Sequence, residues 1–155
     1  MTDNQKEQII VNLIKIENVL SKLYARFASK DNFSAPVKKF WATIAEEEKL
    51  HADILNKISQ AIQEEQATVS IDVKVETLKG FILKINEILK KVSSEDLTEA
   101  DAYSLGATIE MELDEAGFTK SIDSADEKLK KLLKSVENDT KKHRVMLVNY
   151  SRGIR

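Results

Sequence analysis

The sequence contains no cysteine, which removes disulfide frameworks, zinc fingers and ribbons, iron–sulfur clusters, thiol nucleophiles and CxxC redox pairs in one step. Any metal must therefore bind through nitrogen and oxygen. An excess of charge of one sign is lacking too. The 24 basic side chains face 26 acidic ones, a net −2, which leaves no footprint for nucleic acid. No long apolar run occurs, and the chain opens on the polar stretch Thr2-Asp3-Asn4-Gln5-Lys6-Glu7. Neither a signal peptide nor a membrane span is expected, and the expected setting is cytoplasmic. With one proline and four glycines in 155 residues, breakers of regular structure are few, as in a helical protein. The length predicts one domain, residues 1–155, and 42% hydrophobic residues suffice for a core without staples.

Apolar positions at alternating steps of three and four trace five helical segments. The first runs through Ile10, Leu13, Glu17, Leu20, Tyr24 and Phe27, and the second through Val37, Trp41, Ile44, Glu48, His51, Leu55, Ile58 and Ile62. Ser34 is placed to cap the second, with Pro36 in its first turn, where a missing N–H costs little. A break at Gln66–Asp72, rich in β-branched residues, precedes a third segment from Val75 to Val92. The fourth carries Ala102, Leu105, Ile109, Glu112, Ala116 and Thr119. After a turn near Ser121–Ser124, where Ser124 and Glu127 spell a capping box, the fifth carries Leu129, Leu133, Val136, Thr140, His143, Leu147 and Tyr150. Short connections make hairpins of segments one with two and four with five. The expected fold is all-α, an antiparallel four-helix bundle with an additional crossover helix between the second and third helices of the bundle.

Several seam positions are not apolar. Glu17, Glu48, His51, Glu112, Thr140 and His143 stand where packing alone would place Leu, Ile or Ala, and both histidines of the chain are among them. Glu48 and His51 are three apart and share a helix face, as do Thr140 and His143. Glu17 and Glu48 are 31 residues apart, and Glu112 and Thr140 are 28 apart. Similar spans across two hairpins place the members of each pair at similar depth, so the halves read as a diverged repeat. The chemistry that uses such a pattern is a carboxylate-bridged pair of metal ions, with a Glu from each of two helices and a Glu-x-x-His from each of the others. Carboxylate and imidazole without thiolate suit iron or manganese, with zinc as a further candidate. Carboxylates buried without cations would have to protonate or pair.

Ile14-Lys15-Ile16-Glu17 with Tyr24 one heptad on, Ala45-Glu46-Glu47-Glu48-Lys49-Leu50-His51 and Ala107-Thr108-Ile109-Glu110-Met111-Glu112 resemble the rubrerythrin-like branch of the ferritin-like superfamily, over nearly the whole chain. The resemblance implies a ferritin-like bundle holding a di-iron site, with Glu17, Glu48, His51, Glu112 and His143 as ligands. It also implies peroxide or dioxygen as the oxidant and, more loosely, a homodimer. Full rubrerythrins carry a rubredoxin-like domain with a four-cysteine iron; without cysteine, electrons would have to come from an external donor.

The family pattern has a second bridging Glu where this chain has Thr140. Glu115, on a neighbouring face of the same helix as Glu112, is a further candidate ligand that could replace it. Asp139, about 100° around the helix from Thr140, is a poor substitute. Thr119 stands where the first half has Tyr24. Alternatively a single ion binds, at Glu17, Glu48 and His51, or the bundle binds none and has a structural or interaction role. The basic run from Lys128 to Arg144 is interrupted by Glu127, Glu137 and Asp139 and reads as a solvated face.

Overall fold

The computed structural model describes residues 2–65, 69–118 and 121–153. Among the described residues the chain is helical in character, with five helices: α1 (Asp3–Ala28), α2 (Ala35–Gln63), α3 (Val75–Ser94), α4 (Glu99–Glu115) and α5 (Glu127–Ser151). Local chemistry sets their starts. Thr2 caps α1 through a box with Gln5, and Thr98 caps α4 through a box with Asp101. Ser34 does precede α2 and Pro36 sits in its first turn, yet the Ser34 side chain makes no cap bond. Its N–H instead donates to Glu99 Oε2 at 2.7 Å, tying the α1–α2 turn to the start of α4.

The start of α5 differs from the sequence reading. Asp126, not Ser124, is the cap, its Oδ1 accepting from the N–H groups of Lys128 and Leu129. Ser124 ends a short strand, β2 (Ile122–Ser124), which pairs antiparallel with β1 (Val69–Ile71) in the register Val69 to Ser124 and Ile71 to Ile122. Residues Val69–Ile71 of the β-branched break after α2 are therefore half of a two-stranded ribbon whose other half lies before α5. The connection from α4 to α5 turns at Gly117, whose φ of +76° is one that glycine adopts without steric cost. Thr119 lies outside the described residues.

Packing is dominated by α1 against α2, followed by α1 against α3 and α4 against α5. The shared core is built from α1 and α2 residues such as Ile10, Leu20, Leu23, Ile44 and Ile58, with Leu78 and Ile85 of α3 and Leu147 of α5. One end is aromatic. Trp41, fully buried, packs edge-on to Phe27 at 4.7 Å between centroids and stacks on Tyr103 at 5.6 Å. This packing needs Gly106: a Cβ there would stand 2.8 Å from Trp41 Cη2, part of a rigid ring with no free end to swing away. Alanine in a helix normally gains about 1 kcal/mol over glycine. At this contact overpacking costs about 1–3 kcal/mol and outweighs that gain. Gly106→Ala is thus expected to lower the melting temperature by a few degrees, and an unchanged or raised value in a thermal melt would contradict this packing.

Candidate metal centre

Four helices bring acidic and imidazole side chains to one level. Glu17 comes from α1, Glu48 and His51 from α2, Glu110 from α4 and His143 from α5. They form two donor groups, Glu17/Glu48/His51 and Glu48/Glu110/His143, joined by Glu48. The histidine rings lie 6.0 Å apart at 26°. Glu48 stands between them, with Oε2 3.4 Å from His51 Nδ1 and Oε1 3.2 Å from His143 Nδ1. Each carboxylate oxygen thus addresses a different histidine through the same ring nitrogen. Glu48, Glu110, His51 and His143 are each no more than 3% exposed.

Glu112, expected as a ligand, is not at this level. Two residues on from Glu110 is about 200° around the helix, so the two cannot share a face. Glu112 is partly exposed and accepts from Lys84 Nζ on α3 at 2.6 Å. Glu115 is exposed at the last position of α4 and belongs to neither group. The α4 residue that faces the centre is Glu110, held by Tyr24, whose hydroxyl donates to Glu110 Oε1 at 2.6 Å. Thr140 donates its hydroxyl back to the Val136 carbonyl at 2.9 Å, the packing role its position suggests.

Two more acids matter, and the sequence reading assigned neither this place. Asp139 Oδ2 is 3.2 Å from His51 Nε2, and Glu47 Oε2 is hydrogen-bonded to His143 Nε2. Glu47 lies four residues before His51, and Asp139 four before His143. Each histidine on α2 or α5 is therefore buttressed by the acid one turn before the histidine of the opposite helix. An acid that accepts the Nε2 proton fixes the ring so that Nδ1 faces the centre, where its lone pair becomes available to a cation once the Nδ1 proton leaves.

Burial and mutual charge set the protonation pattern. Burial pushes the Glu17 carboxyl well above its ordinary range, with the Glu48 charge adding to the effect. Burial and Glu48 likewise push Glu110 up to about 7. Burial also opposes ionisation of Glu48, but the neighbouring Glu17 carboxyl and the two histidines outweigh it and hold Glu48 well below the usual range. Desolvation disfavours the imidazolium forms, yet the carboxylates around them raise His51 to about 11 and His143 to about 9. Protons thus occupy a centre that presents two buried carboxyls, Glu48 and Glu110, and a partly buried one, Glu17.

The donor set fits a cation. Among the described residues the buried side-chain atoms without a hydrogen-bond partner are Glu17 Oε2, His51 Nδ1 and Trp41 Nε1, and the first two face each other at 3.8 Å. Buried polar atoms rarely go unpaired in a folded protein unless something else satisfies them. Searches among known proteins return no matching family model, no matching curated protein and no matching solved structure. No described helix is long and apolar enough to cross a membrane.

Tyr24 is the testable support of this arrangement. Tyr24→Phe leaves Glu110 Oε1 buried without its donor, which costs about 1–3 kcal/mol. The metal-free variant is expected to melt several degrees lower, and a melt indistinguishable from the parent would remove the Tyr24–Glu110 bond from this account.

Proposed function

We propose that the chain is a rubrerythrin-like non-haem iron protein in which α1, α2, α4 and α5 form a ferritin-like bundle with α3 as the crossover helix. Two iron ions are held by Glu17, Glu48, His51, Glu110 and His143, with Glu48 shared. The protein reduces peroxide or activates dioxygen with electrons from an external donor. The observation that carries this reading is the pair of largely buried donor groups joined by one carboxylate, within which Glu17 Oε2 and His51 Nδ1 make no hydrogen bond.

Bound iron would supply the electrons that the oxidant takes up. The chain's own residues do the rest. Asp139 and Glu47 orient the two imidazoles. Tyr24 fixes the rotamer of Glu110. Leucine, isoleucine and valine side chains around the carboxylates exclude bulk water. An open groove of about 360 Å³ between α2 and α5, lined by Phe40, Thr43, Glu47 and His143, reaches the centre's edge at His143.

A second reading, a one-ion or metal-free bundle with a structural role, is favoured by Thr140, which leaves the centre one carboxylate short of the family pattern. Anaerobic Fe(II) titration followed by metal analysis separates the two. Two irons per chain with peroxide consumption that depends on added reductant is the expected result. One iron or none, with no peroxide turnover, gives the second reading. Saturation by manganese or zinc with iron excluded would transfer the site to those metals.

A further inference from the structure

On the α5 side of the centre, the first half of the chain supplies a carboxylate three residues before its histidine and the second half supplies Thr140. The Thr140 hydroxyl proton is spent on the Val136 carbonyl. The space that a longer acidic side chain would fill is a cavity of about 50 Å³, bounded by Glu17, Glu48, Glu110 and Thr140 and otherwise by apolar side chains, among them Leu13 and Leu133. A water-sized group needs about 10–15 Å³ by this measure, so the cavity holds on the order of three to five non-hydrogen atoms.

Resting on the metal reading above, we propose that this cavity takes a short aliphatic monocarboxylate, of acetate to propionate size, that stands in for the missing acidic side chain. Charge calls for the head group. Two divalent ions carry four positive charges against the three of the direct donors Glu17, Glu48 and Glu110, while Glu47 and Asp139 are engaged on the far side of the imidazole rings. The lining calls for the tail, since a hydrocarbon end gains from apolar walls that hold water poorly. The dependence on metal follows as well. Without cations, the cavity is bordered by three carboxyl groups and, among the described residues, lined by no basic side chain, so a further anion finds no partner there. With cations in place, each ligand strengthens the other's binding by the same factor. Thr140 itself contributes space rather than a hydrogen bond, so the anion's affinity does not depend on its hydroxyl.

Co(II) serves as the probe ion, because its visible spectrum reports on its ligands without turnover. Cobalt uptake is measured first, then equilibrium dialysis with labelled propionate. The expected results are one propionate per cobalt-loaded chain, none for the metal-free chain, a change in the cobalt spectrum on propionate addition, and tighter cobalt binding when propionate is present. Thr140→Glu is expected to keep both cobalt ions and lose propionate, whereas Thr140→Val keeps both. Two cobalt ions without propionate binding, or undiminished propionate binding by Thr140→Glu, overturns this inference and leaves the metal site standing. A chain that takes up no cobalt overturns both.

Discussion

Glu48→Gln is expected to abolish uptake of both metal ions, whereas the neighbouring carboxylates fail one at a time. Glu48 belongs to both donor groups, and its two oxygens face the two histidines separately. A neutral amide of the same size cannot serve as an anionic bridge, so both groups lose their common member. Glu17→Gln removes a donor from the His51 group alone, and Glu110→Gln from the His143 group alone. Glu112→Gln removes only a half-exposed ion pair with Lys84, which is worth under about 1 kcal/mol and has no bearing on metal. The series read by metal analysis is therefore none, one, one and two ions for the variants at 48, 17, 110 and 112. Full occupancy in Glu48→Gln, or loss of metal in Glu112→Gln, would refute the placement. The metal-free forms give a second readout. With Glu48 neutralised, both histidines lose the carboxylate that favours their charge, and NMR titration should find each with a lower pKa than in the parent.

The five helices were legible from the step of three and four, since few breakers interrupt it. Their α1 and α2 seams were legible residue by residue, Glu17, Glu48 and His51 included. The α4 seam was misread by two residues, for a physical reason. Besides Ala102, Ala107 and Ile109, its buried residues include the run Tyr103, Gly106, Glu110 and Leu113. Only one member of that run is a plain aliphatic: glycine adds nothing to an apolar stripe, and here it is buried because Trp41 occupies the space of a side chain. Ala102 and Ile109 are buried as read, but the step of three from Ile109 lands on partly exposed Glu112 and passes over Glu110. The span count held the corrective signal. Glu110 to Thr140 is 30 residues, nearer than 28 to the 31 between Glu17 and Glu48.

The same symmetry hides the buttressing acids. Glu47 and Asp139 occupy matching positions one turn before the two histidines, an acid-x-x-x-His pattern common to α2 and α5. Neither shares its own histidine's contacts; each reaches the opposite helix. Only the approach of α2 to α5 reveals that pairing, and no spacing within one helix encodes it. The β1–β2 ribbon was illegible for a related reason. Two three-residue strands carry too little pattern to be told from loop, and they are joined only because the chain returns to the same end.

Raising the pH is expected to destabilise the metal-free protein and to widen its gap from the metal-loaded form. Glu17, Glu110, His51 and His143 all bind protons more tightly folded than unfolded. The stability each contributes is complete below its unfolded pKa, near 4.5 for the glutamates and 6.5 for the histidines, and is lost as pH climbs to the folded value. For Glu110 that loss ends near pH 7, for His143 near 9 and for His51 near 11. Glu48 has the opposite sign. Its lowered pKa contributes stability above about 4.5 that disappears as pH falls, so the metal-free optimum lies on the mildly acidic side of neutrality. Between pH 7 and 9 each group still titrating costs up to about 1.4 kcal/mol per pH unit, and a fall in melting temperature of about 10 °C or more is expected. Metal ions compete with these same protons. Binding at pH 7 should release the protons of His51 and His143 and part of that of Glu110, with the raised Glu17 carboxyl adding to the count, and should tighten steeply as pH rises. Calorimetry in buffers of different ionisation enthalpy counts the protons, and paired melts at pH 6 and 9 measure the gap. A metal-free melt that is flat across this range would mean that the buried carboxyls and imidazoles do not hold the protons assigned to them. Parallel curves for the loaded and metal-free forms would mean that the metal binds elsewhere.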